Sequence, residues 1–387
     1  MFCVKAKEIS FTTKTNSGSF LQTPFWGEFK ASHGWKLKRY ALNISADNTE
    51  LKHELSNPEC EVSVLTREFR KAFVHFTIAY IPLFPALPFN NISAPEQTIE
   101  FSNMMHDIAM ELKKYLPTDT LCIRFDPAFE FNSPEERDEF NLGVRVVSFA
   151  DRLKIIKNKV DIQPPDSTQI NLLPEEEEIL SGMKTKWRYN VNLSARKGVE
   201  ILCIKGDNPE LSKYLDIFYD LYKVTAERDG IAIHTKKYYE DLLKKSSEEI
   251  LQGKDVPEIR LYIAKHEEDY LGAIITLFSK TESIYLYGCS SNVKRNLMPN
   301  FLLQWTAMKD AKAYGSAYYD MYGMPPTDDE NHPMHGLYLF KTGFGGKNIH
   351  RPGTFDIPLS VFYNTYSNME KLRAFWHKTV LKKIRGR

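Results

Sequence analysis

Four residues spaced by four, Lys184, Arg188, Asn192 and Arg196, put a slanted stripe of cationic and amide groups on one side of a helix. With Lys186 and Lys197 beside them, Met183–Lys197 holds five basic residues and no acidic one. Such a stripe suits a run of phosphates, and Trp187 and Tyr189 among the charges can stack on a base or sugar or serve as core. The same charges also complement the C-terminal end of a helix macrodipole, as Glu175–Glu178 do at its start, so the pattern leaves both readings open.

Lys341 is the second candidate, set among aromatics and glycines in Gly336–Gly346 (GLYLFKTGFGG). An ammonium screened from water stabilises a developing oxyanion in acyl transfer. The alternative is a strand and turn whose glycines supply positive φ around a solvated lysine, and spacing alone favours it. Tyr285–Asn300 (YLYGCSSNVKRNLMPN) leads from a strand into a helix whose free N–H groups suit an anion. Ser290–Asn296 lacks the glycines that close approach of backbone to a coenzyme A pyrophosphate requires. His332 and His335 lie in a polar loop near Asp328 and Asp329, where a hydrogen-bonded loop outweighs a metal site, so no metal and no cofactor are expected. G-x-S-x-G, Walker, kinase and H-E-x-x-H motifs do not occur.

The elements that must position these groups alternate in type. Phe73–Phe84 reads as a β run closing in a bend at Pro82, Pro85 and Pro88; helical spacing follows around Met104–Tyr115, then a strand at Leu121–Asp126. Asp161–Pro174 carries three prolines and little periodicity and is the linker candidate. Pro174 opens a helix on which Leu180, Met183, Trp187 and Val191 recur and which Gly198 ends; Leu211–Ala226 is a second. Ile259–Ser290 predicts three antiparallel strands with turns near Glu267–Asp269 and Lys280–Glu282, followed by a helix over Leu297–Tyr314. Helix, meander and helix in this order point to an N-acyltransferase type of α/β core, in which substrates bind where strands splay apart; that step is fold analogy.

With 387 residues, 51 Lys+Arg against 50 Asp+Glu and 42% hydrophobic residues, the chain is long enough for two or three folded domains and is no polybasic nucleic-acid binder. Five scattered cysteines form neither a zinc ladder nor a disulfide framework. The lack of a signal peptide and of a membrane span predicts a cytoplasmic protein. Lys371–Arg387, with seven basic residues and no acidic one among apolar positions, predicts a packed amphipathic helix whose surplus charge assists peripheral contact with the inner membrane face.

Five segments in order, Phe20–Lys30 (FLQTPFWGEFK), Ile123–Pro127 (IRFDP), Met183–Gly198 (MKTKWRYNVNLSARKG), Tyr287–Trp305 (YGCSSNVKRNLMPNFLLQW) and His332–Gly346 (HPMHGLYLFKTGFGG), resemble the FemABX family of peptidoglycan interpeptide-bridge aminoacyltransferases. The resemblance implies two acetyltransferase-like (GNAT-like) α/β domains of mixed sheets flanked by helices, 1–163 joined by 351–387, and 164–350, in a short form without a helical hairpin. It implies transfer of an amino acid from aminoacyl-tRNA to a side-chain amine of the stem peptide on a UDP-MurNAc-peptide or lipid II precursor. Lys341 matches the lysine that stabilises the oxyanion, and Phe340 the residue whose carbonyl receives the amine proton. Lys30 matches a lysine on the precursor diphosphate, Asp126 a carboxylate of the stem-peptide groove and Tyr287 an aromatic near the reacting ends. In Ile231–Tyr239 (IAIHTKKYY), Tyr238 stands at a family tyrosine and His234 where some members have a phosphate-binding arginine, with Lys236 or Lys237 as substitutes. Lys184, Arg188 and Arg196 become the tRNA contacts. The competing functions are a coenzyme A-dependent N-acyltransferase, disfavoured by the missing glycines, and a non-catalytic RNA- or membrane-binding protein.

Overall fold

The structure, a computed structural model, describes residues 2–10, 19–46, 59–71, 74–84 and 95–375. Pro85 and Pro88 of the expected bend, and Trp376–Arg387 of the expected tail helix, lie outside the described residues. In chain order the strands are β1 (Phe2–Ile9), β2 (Lys36–Ala46), β3 (Glu59–Lys71), β4 (Val74–Ile81), β5 (Thr120–Phe125), β6 (Ile156–Lys157), β7 (Asp166–Asn171), β8 (Glu200–Ile204), β9 (Glu258–His266), β10 (Asp269–Phe278), β11 (Glu282–Ser290), β12 (Tyr318–Asp320), β13 (Lys347–His350) and β14 (Phe355–Pro358). The helices are α1 (Pro24–Ala31), α2 (Pro95–Lys113), α3 (Pro134–Ala150), α4 (Glu176–Gly182), α5 (Thr185–Arg196), α6 (Leu211–Asp229), α7 (Lys236–Leu251), α8 (Pro299–Tyr314), α9 (His335–Thr342) and α10 (Tyr363–Phe375). None of the described helices is long and apolar enough to cross a membrane.

The chain forms two mixed α/β units, each around its own sheet. The first comprises the described parts of Met1–Phe129, Glu135–Gln163 and Pro352–Arg387. Its sheet has the order β1-β2-β3-β4-β5-β14-β6, antiparallel except for β4 and β5. β14 enters between β5 and β6, and a buried fork ties it there: Arg124 donates to Asp356 at 2.7 and 2.8 Å and to Glu370 of α10 at 2.9 Å.

The second unit comprises Glu130–Pro134 and Pro164–Arg351, with sheet order β13-β7-β12-β11-β10-β9-β8. The expected meander is β9, β10 and β11, and α8 follows. β9 and β10 are buried and largely aliphatic, and α8 covers one face through Leu303, Ala307, Met308 and Ala311. β11 and β12 are parallel and pair only over Glu282–Ile284 and Tyr318–Asp320, so beyond Ile284 the two strands part.

Three expectations change. The linker Asp161–Pro174 contains β7, an interior strand of the second sheet; its prolines bound the strand and its Ser167 and Thr168 are fully buried, so polar residues masked it. The helix expected from Pro174 to Gly198 is two helices, because Met183 and Lys184 are extended between α4 and α5. Gly336–Gly346 is the helix α9 and its exit, where a strand and turn with a solvated lysine stood as the alternative. The glycines after α9 serve close approach: a Cβ on Gly343 would lie 2.2 Å from Trp187, and Gly345 has φ +82° with a Cβ position 2.4 Å from the Gly182 carbonyl.

Candidate active site

Lys341 is the buried residue of α9, 5% exposed. Its ammonium donates to the carbonyls of Met321 at 2.6 Å, Tyr322 at 3.0 Å and Gly323 at 2.8 Å, which uses all three of its protons. These carbonyls belong to the turn that leaves β12 where β11 and β12 part. The turn is held by Asp320, whose buried carboxylate accepts the Tyr322 N–H at 2.7 Å and the Ser167 hydroxyl, and Tyr322 itself sits at φ +57°. Nζ also lies 4.9 Å from the Tyr285 ring centre. Burial pulls the Lys341 pKa down to about 7, against the attraction of Asp320.

Phe340 precedes it in the last helical turn, where carbonyls lack helical partners. Its carbonyl accepts the Trp187 indole N–H at 2.8 Å, leaving its second lone pair for another donor. Phe340 and Tyr285 line a cavity of about 650 Å³ that runs along α8 and the open edge of β11. Arg228 and Arg295 stand on this cavity, as does Asn300, whose buried Oδ1 has no hydrogen-bond partner among the described residues. Arg228 is bound to Asp229 and to the Ser290 carbonyl. Cys289 also lines it, but burial pushes its thiol up, so it is no nucleophile at neutral pH.

A bulge in β11 divides the tyrosines. Tyr285 pairs with Thr276 and Tyr287 with Ile275, adjacent residues of β10, so the two side chains leave the sheet on opposite faces. Tyr287 therefore joins Tyr238, Tyr239 and His234. His234 stacks on Tyr238 at 3.9 Å between ring centres and 14° between planes, and the Tyr239 and Tyr287 rings are 5.1 Å apart. Burial raises the hydroxyl pKa of Tyr238 to about 12 and pushes that of Tyr287 up as well. Lys236 and Lys237 are held by Asp216 at 2.6 Å and Asp241 at 2.7 Å, so neither stands ready in the place of the absent arginine.

The cationic stripe is only partly a stripe. Lys184 is the N-cap of α5, exposed, with Nζ 5.8 Å from the Trp187 ring, and Arg196 is exposed at the far end. Arg188 folds back onto the break between α4 and α5, donating to the carbonyls of Ser181 and Met183.

In the first unit, Lys30 ends α1 and Asp126 follows β5. Residues 63, 65, 67 and 69 of β3 share one face: Ser63 bonds Gln22 and Leu65 is opposite the Leu37 that α1 covers. Arg67 comes next, its guanidinium 5.7 Å from the Trp35 ring centre. Lys30 has its pKa lowered to about 8 by burial and by Arg67. Trp35 approaches Tyr80 at 6.1 Å, and the Tyr80 hydroxyl donates to Asp126, whose other oxygen accepts from Thr354. Asp126 is 2% exposed, and burial lifts its pKa to about 6. Lys30, Trp35, Arg67, Tyr80 and Asp126 thus form one connected strip. Arg67 escapes sequence reading because cross-strand register brings it beside the turn in which the Trp35 N–H donates to the Lys30 carbonyl at 3.2 Å; Asp320 and Asn300 escape it because their roles depend on burial.

A family model for the FemAB family matches residues 6–251 and 252–371. The lipid II:glycine glycyltransferase of Staphylococcus epidermidis strain ATCC 35984 is 23% identical over 98% of this chain and 97% of its own length. That of Staphylococcus aureus strain COL is 23% identical over 91% and 90%. The crystal structure of FemX superposes with a TM-score of 0.66 at 20% identity, covering 94% of this chain and 99% of that one, a likeness of fold. With nearly the whole length matched by its model, the chain belongs to the FemAB family.

Proposed function

We propose that the chain is an aminoacyltransferase that moves an amino acid from aminoacyl-tRNA onto a side-chain amine of the stem peptide of a lipid-linked peptidoglycan precursor. The observation that carries this is the buried Lys341 ammonium, set where β11 and β12 part, with Phe340 and Tyr285 joining it to the cavity. Supporting it, the curated relatives are lipid II:glycine glycyltransferases, and the cavity with Arg228 and Arg295 suits a polyanionic donor's acylated end.

An aminoacyl ester is already activated, so positioning, proton removal and oxyanion stabilisation suffice. The acceptor amine attacks the ester carbon, and the carbonyl electrons move onto oxygen. Lys341 exchanges its longest hydrogen bond, to Tyr322, for that oxyanion. The free lone pair of the Phe340 carbonyl takes the amine N–H and guides the proton toward the ribose oxygen, which leaves as the C–O bond breaks. Lys30, with Arg67 beside it, holds the precursor's diphosphate; Asp126 acts by fixing Tyr80 and Thr354. His234, Tyr238 and Tyr287 form an aromatic shelf for the acceptor. Lys184 and Arg196 contact tRNA phosphates, while Arg188 holds the α4–α5 break that presents them.

The test is transfer of a labelled amino acid from charged tRNA to lipid II. Product that disappears when the tRNA is digested beforehand is expected; transfer that survives digestion, or that runs on acyl-coenzyme A, overturns the reading.

A further inference from the structure

Helix α3 of the first unit is apolar on two opposite sides. Phe140, Val144 and Ser148 are buried against the unit. On the outer side Leu142, Val146 and Phe149 recur at helical spacing and are 59%, 59% and 88% exposed. A second apolar stripe, on the solvent side of a helix that already packs through its other face, marks a surface that something covers.

The charges around it identify what. The first turns of α3 carry Glu135, Glu136, Asp138 and Glu139 with Arg137 among them, but the half that bears the stripe carries Arg145, followed by Arg152 and Lys154 beyond the helix end. The chain reverses there through left-handed residues Arg152 and Lys154, each at φ +56°, and the Ser148 hydroxyl accepts the Ile155 N–H at 2.7 Å, which keeps these cations beside the last turn. None of the three has a carboxylate partner among the described residues, and Asp151 is the single acid between them. A second copy docked by a two-fold axis at Phe149 would set Arg145 against Arg152 and Lys154. The chain's own C-terminal Lys371–Arg387, with seven basic residues and no acid, meets the same repulsion.

We propose that the C-terminal half of α3, with Phe149 at its centre and Arg145, Arg152 and Lys154 around it, is a docking surface for an anionic lipid bilayer. Apolar side chains enter the headgroup boundary while the cations pair with lipid phosphates, the combination that holds an interfacial helix. The inference goes beyond the transferase reading and does not depend on it, although it would bring the chain to a lipid-anchored acceptor.

The experiment is co-sedimentation of the full chain with vesicles of phosphatidylcholine alone and with added phosphatidylglycerol, in low and high salt. Wild-type chain should partition at least about tenfold better onto the anionic vesicles and lose most of that in high salt. Val146→Ser with Phe149→Ser, and separately Arg152→Gln with Lys154→Gln, should each lower partition about tenfold with melting temperature unchanged. Failure of the wild-type chain to bind overturns the proposal. So does variant binding equal to wild type, which assigns binding to the basic tail, or loss of a dimer in the variants with vesicle binding intact, which assigns the stripe to a second copy. Vesicle binding needs no charged tRNA: binding without transfer would sink the transferase reading alone, and transfer without binding this proposal alone.

Discussion

Replacing Lys341 by methionine removes the charge from the proposed oxyanion site while keeping the length of the side chain. Loss of one preorganised donor to an oxyanion costs about 10²–10³ in turnover. The pH dependence separates this chemistry from simple damage. The attacking amine must be neutral, so the rate at subsaturating acceptor should climb about tenfold per pH unit up to its ordinary pKa near 10.4. Lys341 must be charged, and burial sets its pKa at about 7. Wild-type activity should therefore climb below about pH 7 and level off above it, where each gain in free amine is matched by loss of ammonium. The methionine variant should be slower and climb straight through pH 7. Stability supplies a second reading of the same proton. The folded-state pKa lies below the ordinary lysine value of 10.5, so the stability this group contributes is present above pH 10.5 and is lost as pH falls through about 7, on the order of 5 kcal/mol across that window. Denaturant titrations at pH 6 and pH 10 should show that difference in the wild-type chain and not in the variant. A wild-type profile with no break near pH 7, or a variant that keeps the break, would refute the role given to Lys341.

Asp126→Asn tests the acceptor strip: its carboxyl is raised from 3.8 to about 6, so its contribution is full below pH 3.8 and lost as pH rises through 6, and the variant should be relatively more stable at pH 7 by up to about 3 kcal/mol, read by urea unfolding. Arg67→Gln should raise the Lys30 pKa above about 8, measurable by NMR of the ammonium, and raise the acceptor KM about tenfold with kcat little changed. Lys184→Ala with Arg196→Ala should weaken tRNA binding and reduce the salt slope by about 1 per lost phosphate contact, whereas Arg188→Ala should lower the melting temperature as well. Gly343→Ala, whose Cβ falls 2.2 Å from Trp187, should destabilise by about 1–3 kcal/mol and disturb the Trp187 to Phe340 hydrogen bond, visible as a shift in indole fluorescence.

The fold was most legible where burial and periodicity agree. β9 and β10 are rich in buried aliphatic residues, β11 alternates aliphatic and aromatic ones (IYLY), polar turns separate them, and α6 and α8 repeat apolar residues at helical spacing, so Ile259–Ser290, Leu211–Ala226 and Leu297–Tyr314 all announced their type. β7 failed that test because its core is polar: Ser167 is buried as a donor to Asp320, and a serine inside a sheet looks like a serine in a loop until its acceptor is known. The break before α5 was hidden because Met183, Trp187 and Val191 keep helical spacing across it, while the Gly343 carbonyl that draws the Lys184 N–H out of line lies far along the chain.

The site shows the same division more sharply. Residue types announced a lysine among glycines, but not what the glycines do; they thin the surface of the α9 exit so that Trp187 and the Gly182 carbonyl can close over it. Nor did spacing separate Tyr285 from Tyr287, because two residues apart in a regular strand means one face, and only the bulge opposite Ile275 and Thr276 turns one ring toward the lysine and the other toward His234. Sequence can therefore name the charged groups of such a site. What makes them chemically unusual, a cation satisfied by three carbonyls of a strained turn, is assembled by register and burial, and an Asp320→Asn variant that leaves the fold intact yet loosens that turn is expected to move the pH break of the wild-type profile without removing it.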